Sequence, residues 1–226
     1  MTFSLLGRCP RSGRLGIAVS SSSPAVGARC AFAQAGVGTA ASQNVTDPRL
    51  GPALLARLAA GDDAASALAT VVAEAEHAAF RQLAVLGGSG PGAAVSGSRT
   101  LGVHGERVGR DHVAIGNLLA TTDVLDATGE AFTRAPDALL LDRLLDGLAA
   151  GLAAGGEADA LHSAAVLLVD RFPWPLVDLR VDWHDEPIAR LRSIAAVYGP
   201  QAEDYVTRAL DPEAAPSYGV AGEDDR

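Results

Sequence analysis

The chain has 226 residues, 48% of them hydrophobic and only 4% aromatic, with a formal net charge of −9. This length and apolar content support one layered domain whose core is built from small side chains. The acidic balance, without any basic run, argues against a nucleic-acid backbone or an anionic membrane surface as partner. All 18 basic residues are Arg, which removes Schiff-base, P-loop and general-base lysine chemistry.

The first apolar stretch, Thr2 to Arg8, reads as a strand. A Pro10–Gly13 turn and a second strand over Leu15–Val19 complete an N-terminal hairpin. Ser20 to Pro24 reads as a polar stop, and Val37 to Gln43 as a third strand. Helices are predicted over Leu50–Leu58 and Ala64–Glu76, the second capped by Asp62 or Asp63. Strands follow over Arg81–Leu86 and Ala93–Ser98, with shorter ones near Leu101–Val103 and His112–Ile115. Then come helices over Asp123–Arg134 and Ala138–Ala154, strands over Ser163–Val169 and Leu176–Val181, and helices over Pro187–Tyr198 and Gln201–Leu210. This gives one domain over residues 1–210 and a flexible C-terminal tail over 211–226.

Strands cluster and helices come in pairs, unlike the βαβ alternation of a parallel sheet. The order predicts an α+β fold, with two stacked antiparallel sheets flanked by helices. Two cysteines, Cys9 and Cys30, make neither a disulfide framework nor a CxxC motif. With no signal peptide and no apolar run of membrane length, they point to a reducing cytoplasm.

Residue 2 carries a specific chemical possibility. An α-amine has a pKa of about 7.7–8.0, so near neutral pH it serves as a base. If Thr2 is exposed by removal of Met1, one residue supplies both the hydroxyl nucleophile and its base. Alternatively, Thr2 is simply a β-branched residue opening a strand.

Several stretches together resemble a known family: Thr2-Phe3-Ser4, Leu15-Gly16-Ile17-Ala18-Val19-Ser20, Ser42-Gln43-Asn44, Thr46-Asp47-Pro48, Arg81-Gln82-Leu83-Ala84-Val85, Gly116-Asn117-Leu118-Leu119, Ser163-Ala164-Ala165 and Val177-Asp178-Leu179-Arg180-Val181-Asp182. The chain resembles the bacterial domain of unknown function 1028 from Thr2 to about Pro187. The resemblance implies a four-layer αββα sandwich of the N-terminal-nucleophile (Ntn) hydrolase type, without an established substrate. The chain departs from the family pattern at Ser20–Pro24 and at His162.

These readings nominate Thr2 as nucleophile and Asn117 and Asn44 as oxyanion donors. Ser20 and Ser21 follow the second strand, where Ntn folds place groups facing the nucleophile. Both can also be turn serines that bond their own backbone. His162 precedes a strand and can act as an acid or base. Ser21, Gln43, Arg180 and Asp178 are candidates for substrate binding. Asp178 and Arg180 share one strand face, which suits a carboxylate clamp or a structural ion pair. His104 and His112 are expected on surface loops. No metal ligand set, GxSxG elbow or Walker motif appears, and neither a cofactor nor a metal is expected. Phe172, Pro173, Trp174 and Trp183 suit either a dimer surface or a pocket wall.

The function expected is hydrolysis of a small amide-like C–N bond by a homodimer, with a small-molecule substrate and no nucleic acid or membrane partner. The alternatives are a non-catalytic metabolite-binding protein on the same fold, or hydrolysis by water activated at His162.

Overall fold

A computed structural model describes residues 1–217, 219 and 220. Strands β1 (Thr2–Arg8) and β2 (Leu15–Ser21) form the N-terminal hairpin, with Phe3 opposite Ser20 and Arg8 opposite Leu15. Ser20 and Ser21 thus extend the second strand, where the sequence suggested a stop. A single turn of helix, α1 (Gly27–Cys30), leads into β3 (Ala31–Gln34) and β4 (Gly38–Asn44). Neither α1 nor β3 is legible in the sequence, because four residues are too few to show a period. Helices α2 (Leu50–Ala59) and α3 (Ala64–Glu74) follow, and Asp63 caps α3 by accepting the Ser66 N–H at 2.7 Å.

The next strands are β5 (Arg81–Gly87), β6 (Ala93–Ser96), β7 (Val103–Val108) and β8 (His112–Leu119). Helices α4 (Asp123–Arg134) and α5 (Leu140–Ala153) precede β9 (Ser163–Val169) and β10 (Val177–Val181), and α6 (Pro187–Tyr198) and α7 (Ala202–Leu210) close the fold. Of the tail expected over 211–226, residues 211–217, 219 and 220 are described, without regular helix or strand; the rest lies outside the described residues.

The strands make two antiparallel sheets, one in the order β10-β9-β2-β1-β8-β7 and the other β3-β4-β5-β6. Strand alternation sorts side chains into layers. Phe3, Leu5, Ala18, Ala114 and Val166 face outward from the larger sheet and bury against helices α4 to α6. Ala40, Leu83 and Val85 face outward from the smaller sheet against α2 and α3. Between the sheets lie Leu6, Ile17, Ala41, Ala84, Leu86, Val113 and Ile115. The result is an α+β sandwich of four layers, as the order of elements suggests.

Small residues bring the layers close. A Cβ on Gly7 would stand 2.5 Å from the Phe132 ring, and one on Gly16 2.8 Å from Leu144 Cδ1. These two glycines admit α4 and α5 side chains directly onto the β1–β2 hairpin. His112 departs from its expected loop position. It lies in β8, buried, with its ring 5.4 Å from that of Phe132. Burial and the neighbouring Arg143 both hold its pKa below the usual histidine value.

Leu144 is fully buried under the hairpin. Leu144→Ala leaves a cavity there and is expected to lower stability by about 2–5 kcal/mol. The measurement is a urea unfolding curve, whose midpoint should fall while its slope stays constant.

Candidate active site

The layer between the sheets changes character along its length. Beyond Leu6, Ile17 and Ile115, the same inward-facing rows continue as Ser4 and Thr2 on β1, Ser21 on β2 and Asn117 on β8. Across the gap they meet Gln43 on β4 and Gln82 on β5. Ser4, Ser21, Gln43, Gln82 and Asn117 are all fully buried, and Thr2 retains 6% of its exposure.

Buried amides require partners, and here the pairing fixes every orientation. The Gly116 carbonyl can only accept, so Gln82 turns Nε2 to it at 2.8 Å. Nε2 also donates to Ser96 Oγ at 2.9 Å. Gln82 Oε1 then faces two donors, Gln43 Nε2 at 2.8 Å and Asn117 Nδ2 at 3.0 Å. Gln43 Nε2 also reaches the Thr2 carbonyl at 3.3 Å, and Gln43 Oε1 accepts from Ser4 Oγ at 2.6 Å. One acceptor is left over: Asn117 Oδ1 is buried without a partner. Asn117 is the register partner of Thr2 on the neighbouring strand.

Thr2 and Ser21 meet at the mouth of this network, their hydroxyls 3.3 Å apart. Both hydroxyls donate to the carbonyl oxygen of Met1. Ser21 Oγ in turn accepts the Ser23 N–H at 3.1 Å. A carbonyl oxygen is thus held between two hydroxyl donors beside the first strand.

A further acid lies over this point. Residues 156–158 cross the end of β8, where the Ala120 N–H donates to Gly156 O at 3.0 Å and the Ala158 N–H to Leu118 O at 2.9 Å. Leu118 adopts a positive φ of 52°, unusual for a branched side chain, and Leu119 bridges to Glu157. On the other side, the Ser22 N–H at the end of β2 donates to Glu157 Oε2 at 3.1 Å. Because β1 lies between β2 and β8, the loop carries Glu157 across the start of β1. Glu157 is buried, and its Oε1 has no partner. Burial pushes its carboxyl up to about 7, despite the opposing pull of the Ser22 N–H and of the amino-terminal charge of Met1.

The remaining sequence candidates stand elsewhere. Ser20 is opposite Phe3 on the outward face of the hairpin, and its hydroxyl donates to the Ser163 carbonyl at 3.2 Å. Asn44, at φ 73°, uses both ends of its amide on backbone: Nδ2 donates to Phe80 O at 2.6 Å and Oδ1 accepts the Leu101 N–H at 3.2 Å. His162 donates its backbone N–H to Ser21 O, while its ring stacks on Trp183 at 4.2 Å with Nδ1 3.9 Å from Asp185. Arg180 pairs with Asp178 at 2.8 and 2.9 Å on the exposed face of β10. That pair edges a cavity of about 440 Å³ shared with Phe32 and Pro52. A larger cavity, about 680 Å³, lies at the glycine-rich opposite end of β4 and β5, lined by Gly36, Asp62, Asp63 and Gly88. The site therefore brings together Thr2, Ser21, Gln43 and Asn117 and leaves Ser20, Asn44, His162, Asp178 and Arg180 outside.

Three members escaped the sequence reading: Ser4, which shares the Thr2 face of β1, Gln82 and Glu157. Gln82 is a lone amide in an apolar strand, a pattern that calls for a buried partner. Glu157 follows Gly155-Gly156, both at positive φ, in a stretch with no period at all. Among the described residues, no cluster of three His, Cys, Asp or Glu side chains can hold a metal ion, and no helix is long and apolar enough to cross a membrane.

Residues 2–191 match the model of a family of unknown function, DUF1028. The crystal structure of a DUF1028 protein from Silicibacter pomeroyi is 33% identical, superposes with a TM-score of 0.80, and the match covers 87% of this chain and 88% of that one. The chain belongs to the DUF1028 family. A remoter similarity, 13% identity and a TM-score of 0.39 over 96% of this chain and all of the other, is to Anbu (ancestral beta-subunit) from Yersinia bercovieri. No curated protein matches the chain.

Two outcomes follow from the network. Gln82→Leu strands the Gly116 carbonyl and the amides of Gln43 and Asn117, and should cost at least about 2–3 kcal/mol in urea unfolding. For Glu157, the folded state holds its proton more tightly than the unfolded chain between the ordinary value of 4.5 and about 7. Native stability therefore falls as pH rises through that window, by on the order of 3 kcal/mol. Glu157→Gln should abolish this fall, so its stability relative to the unaltered chain rises from acid to weakly alkaline pH.

Proposed function

We propose that this DUF1028 protein is an Ntn-type hydrolase that cleaves a small amide-like C–N bond, with Thr2 as nucleophile once Met1 is removed. The observation that carries the reading is the carbonyl oxygen held between the Thr2 and Ser21 hydroxyls, at the polar end of an otherwise apolar inter-sheet layer.

In this reading the freed α-amine of Thr2 takes the proton from its own Oγ1, directly or through one water. Oγ1 attacks the substrate carbonyl carbon and the charge gathers on the carbonyl oxygen. Ser21 Oγ donates to that oxygen, as it does to the Met1 carbonyl, and one such donor contributes about 2.7–4 kcal/mol in the transition state. The α-ammonium returns its proton to the departing nitrogen, leaving an ester on Thr2. Water, deprotonated by the same amine, then releases the acid.

Asn117 takes a different part from that of an oxyanion donor. Its Nδ2 is held by Gln82, and its unpaired Oδ1 suits an N–H donor such as the freed amine. Gln43 fixes the Thr2 carbonyl and so the direction of the residue. Two free cysteines, Cys9 and Cys30, favour action in a reducing cytoplasm.

Intact mass of the purified protein should show loss of Met1. In a screen of small amides, ureas and lactams that follows ammonia or amine release, Thr2→Ala should lower turnover by at least about a hundredfold. His162→Ala should leave it nearly unchanged. Full turnover in Thr2→Ala together with its loss in His162→Ala would move the chemistry to a His162-activated water.

A further inference from the structure

Met1 shows what the site holds. It is an acyl group attached at Thr2, its carbonyl oxygen taken by the Thr2 and Ser21 hydroxyls. Its ammonium, on the adjacent α-carbon, acts on Glu157 of the loop at 156–158 through its charge, without an ion pair between the two. The buried acceptor atom Glu157 Oε1 is carried on that loop and has no partner. A buried carboxylate oxygen left unpaired is costly, and a cation with several N–H donors satisfies it best.

Resting on the Thr2 reading above, we infer that the substrate is an α-aminoacyl amide, whose carbonyl takes the place of the Met1 carbonyl and whose ammonium is bound by Glu157. Thr2 Oγ1 forms an ester with the aminoacyl carbon as the C–N bond breaks. The leaving nitrogen departs with a proton, and water then frees an α-amino acid. Glu157 is a binding residue in this scheme, because it touches the ammonium and exchanges no proton with the scissile bond.

Two further features fit. The groups whose charge acts on Glu157 are the amino-terminal ammonium and Asp159 on the same loop; the ammonium favours its charged form and Asp159 opposes it. An arriving ammonium therefore drives a proton off Glu157 and restores the charge that burial disfavours. In addition, the Ser22 N–H occupies Oε2 alone, which leaves the other oxygen for the ligand.

The test uses the full chain with Met1 removed, verified by mass, and with Thr2→Ala so that no ligand is consumed. Binding of methioninamide and of its analogue lacking the α-amine is measured by titration calorimetry. Methioninamide should bind about tenfold tighter or better, and adding Glu157→Gln should erase the difference. Equal binding of the two amides, failure of both to bind, or a preference that survives Glu157→Gln would each overturn the assignment.

A second measurement needs no change at Glu157. Methioninamide binding at about pH 6.5, in buffers of different ionisation heat, should release a fraction of a proton; no release would equally reject the site. Because these are binding experiments in the Thr2→Ala chain, they can fail while Thr2-dependent turnover stands. Conversely, the ammonium site can be found even if Thr2 proves dispensable.

Discussion

Three buried amides that share one acceptor, Gln82 Oε1, are the constraint on which the polar half of this protein depends. Two sheets packed face to face exclude water from the space between them, so each amide placed there must be matched. Gly116 offers only a carbonyl. That single fact turns Gln82, and Gln82 then turns Gln43 and Asn117. Gln43 carries the same order to Ser4 and to the Thr2 backbone. The network joins strands of both sheets, among them β1, β4, β5 and β8, and so fixes their relative position at the end where the first strand begins. The opposite end of the same layer is aliphatic and sets no directions.

This division gives the chemistry proposed for residue 2 a fixed place. A chain end is ordinarily loose, but here β1 is an interior strand with β2 on one side and β8 on the other. Its outward face is held by Phe3 and Leu5 beneath α4 and α5, and its inward face by the amides. The hydroxyls of Thr2 and Ser21 are then left at the mouth of the network with a carbonyl oxygen between them. The positive φ at Leu118 belongs to the same arrangement. It turns the end of β8 so that the loop bearing Glu157 closes over the start of β1.

Much of the architecture was legible because it rests on period and punctuation. Helices α4 and α6 and strand β9 stand where the apolar spacing put them, and Asp63, one of the two acids expected there, caps α3. Two of the four edge strands, β3 and β7, were not. β3 is only four residues long, and β7 is largely polar with an exposed face, so neither carries an alternation that the sequence can display. The site was half legible for a related reason. Thr2, Ser21 and Asn117 share a face by strand parity, yet parity also separates Ser21 from Ser20, and only the pairing of Ser20 with Phe3 shows which of the two faces inward. Asn44 follows Gln43 in the chain and so points the other way, into backbone. Glu157 had no period to betray it, since it is placed by two left-handed glycines and by hydrogen bonds to β8 and β2.

Glu157 gives the site an electrostatic asymmetry that the amides lack. The amide network is neutral and satisfied apart from Asn117 Oδ1, so it is indifferent to pH. A buried carboxyl near neutrality is poised between two states, and what decides between them is whether a cation stands beside it. While Met1 is in place, its ammonium acts on the carboxyl only through its charge, since Glu157 Oε1 stays without a partner, and its carbonyl fills the place between the hydroxyls. The residue that precedes Thr2 is then held by the same two hydroxyls that, in the proposed reaction, would hold a substrate carbonyl. Removing Met1 takes the acyl group and the charge together, leaving two hydroxyls, an unpaired amide oxygen and an unpaired carboxyl oxygen around a new amine. A carboxylate paired directly with the new α-amine favours the ammonium form, which cannot act as the base. One acceptor must therefore wait for something else, and the carboxylate, the more costly of the two to leave bare, is the one that gains most from a cationic ligand.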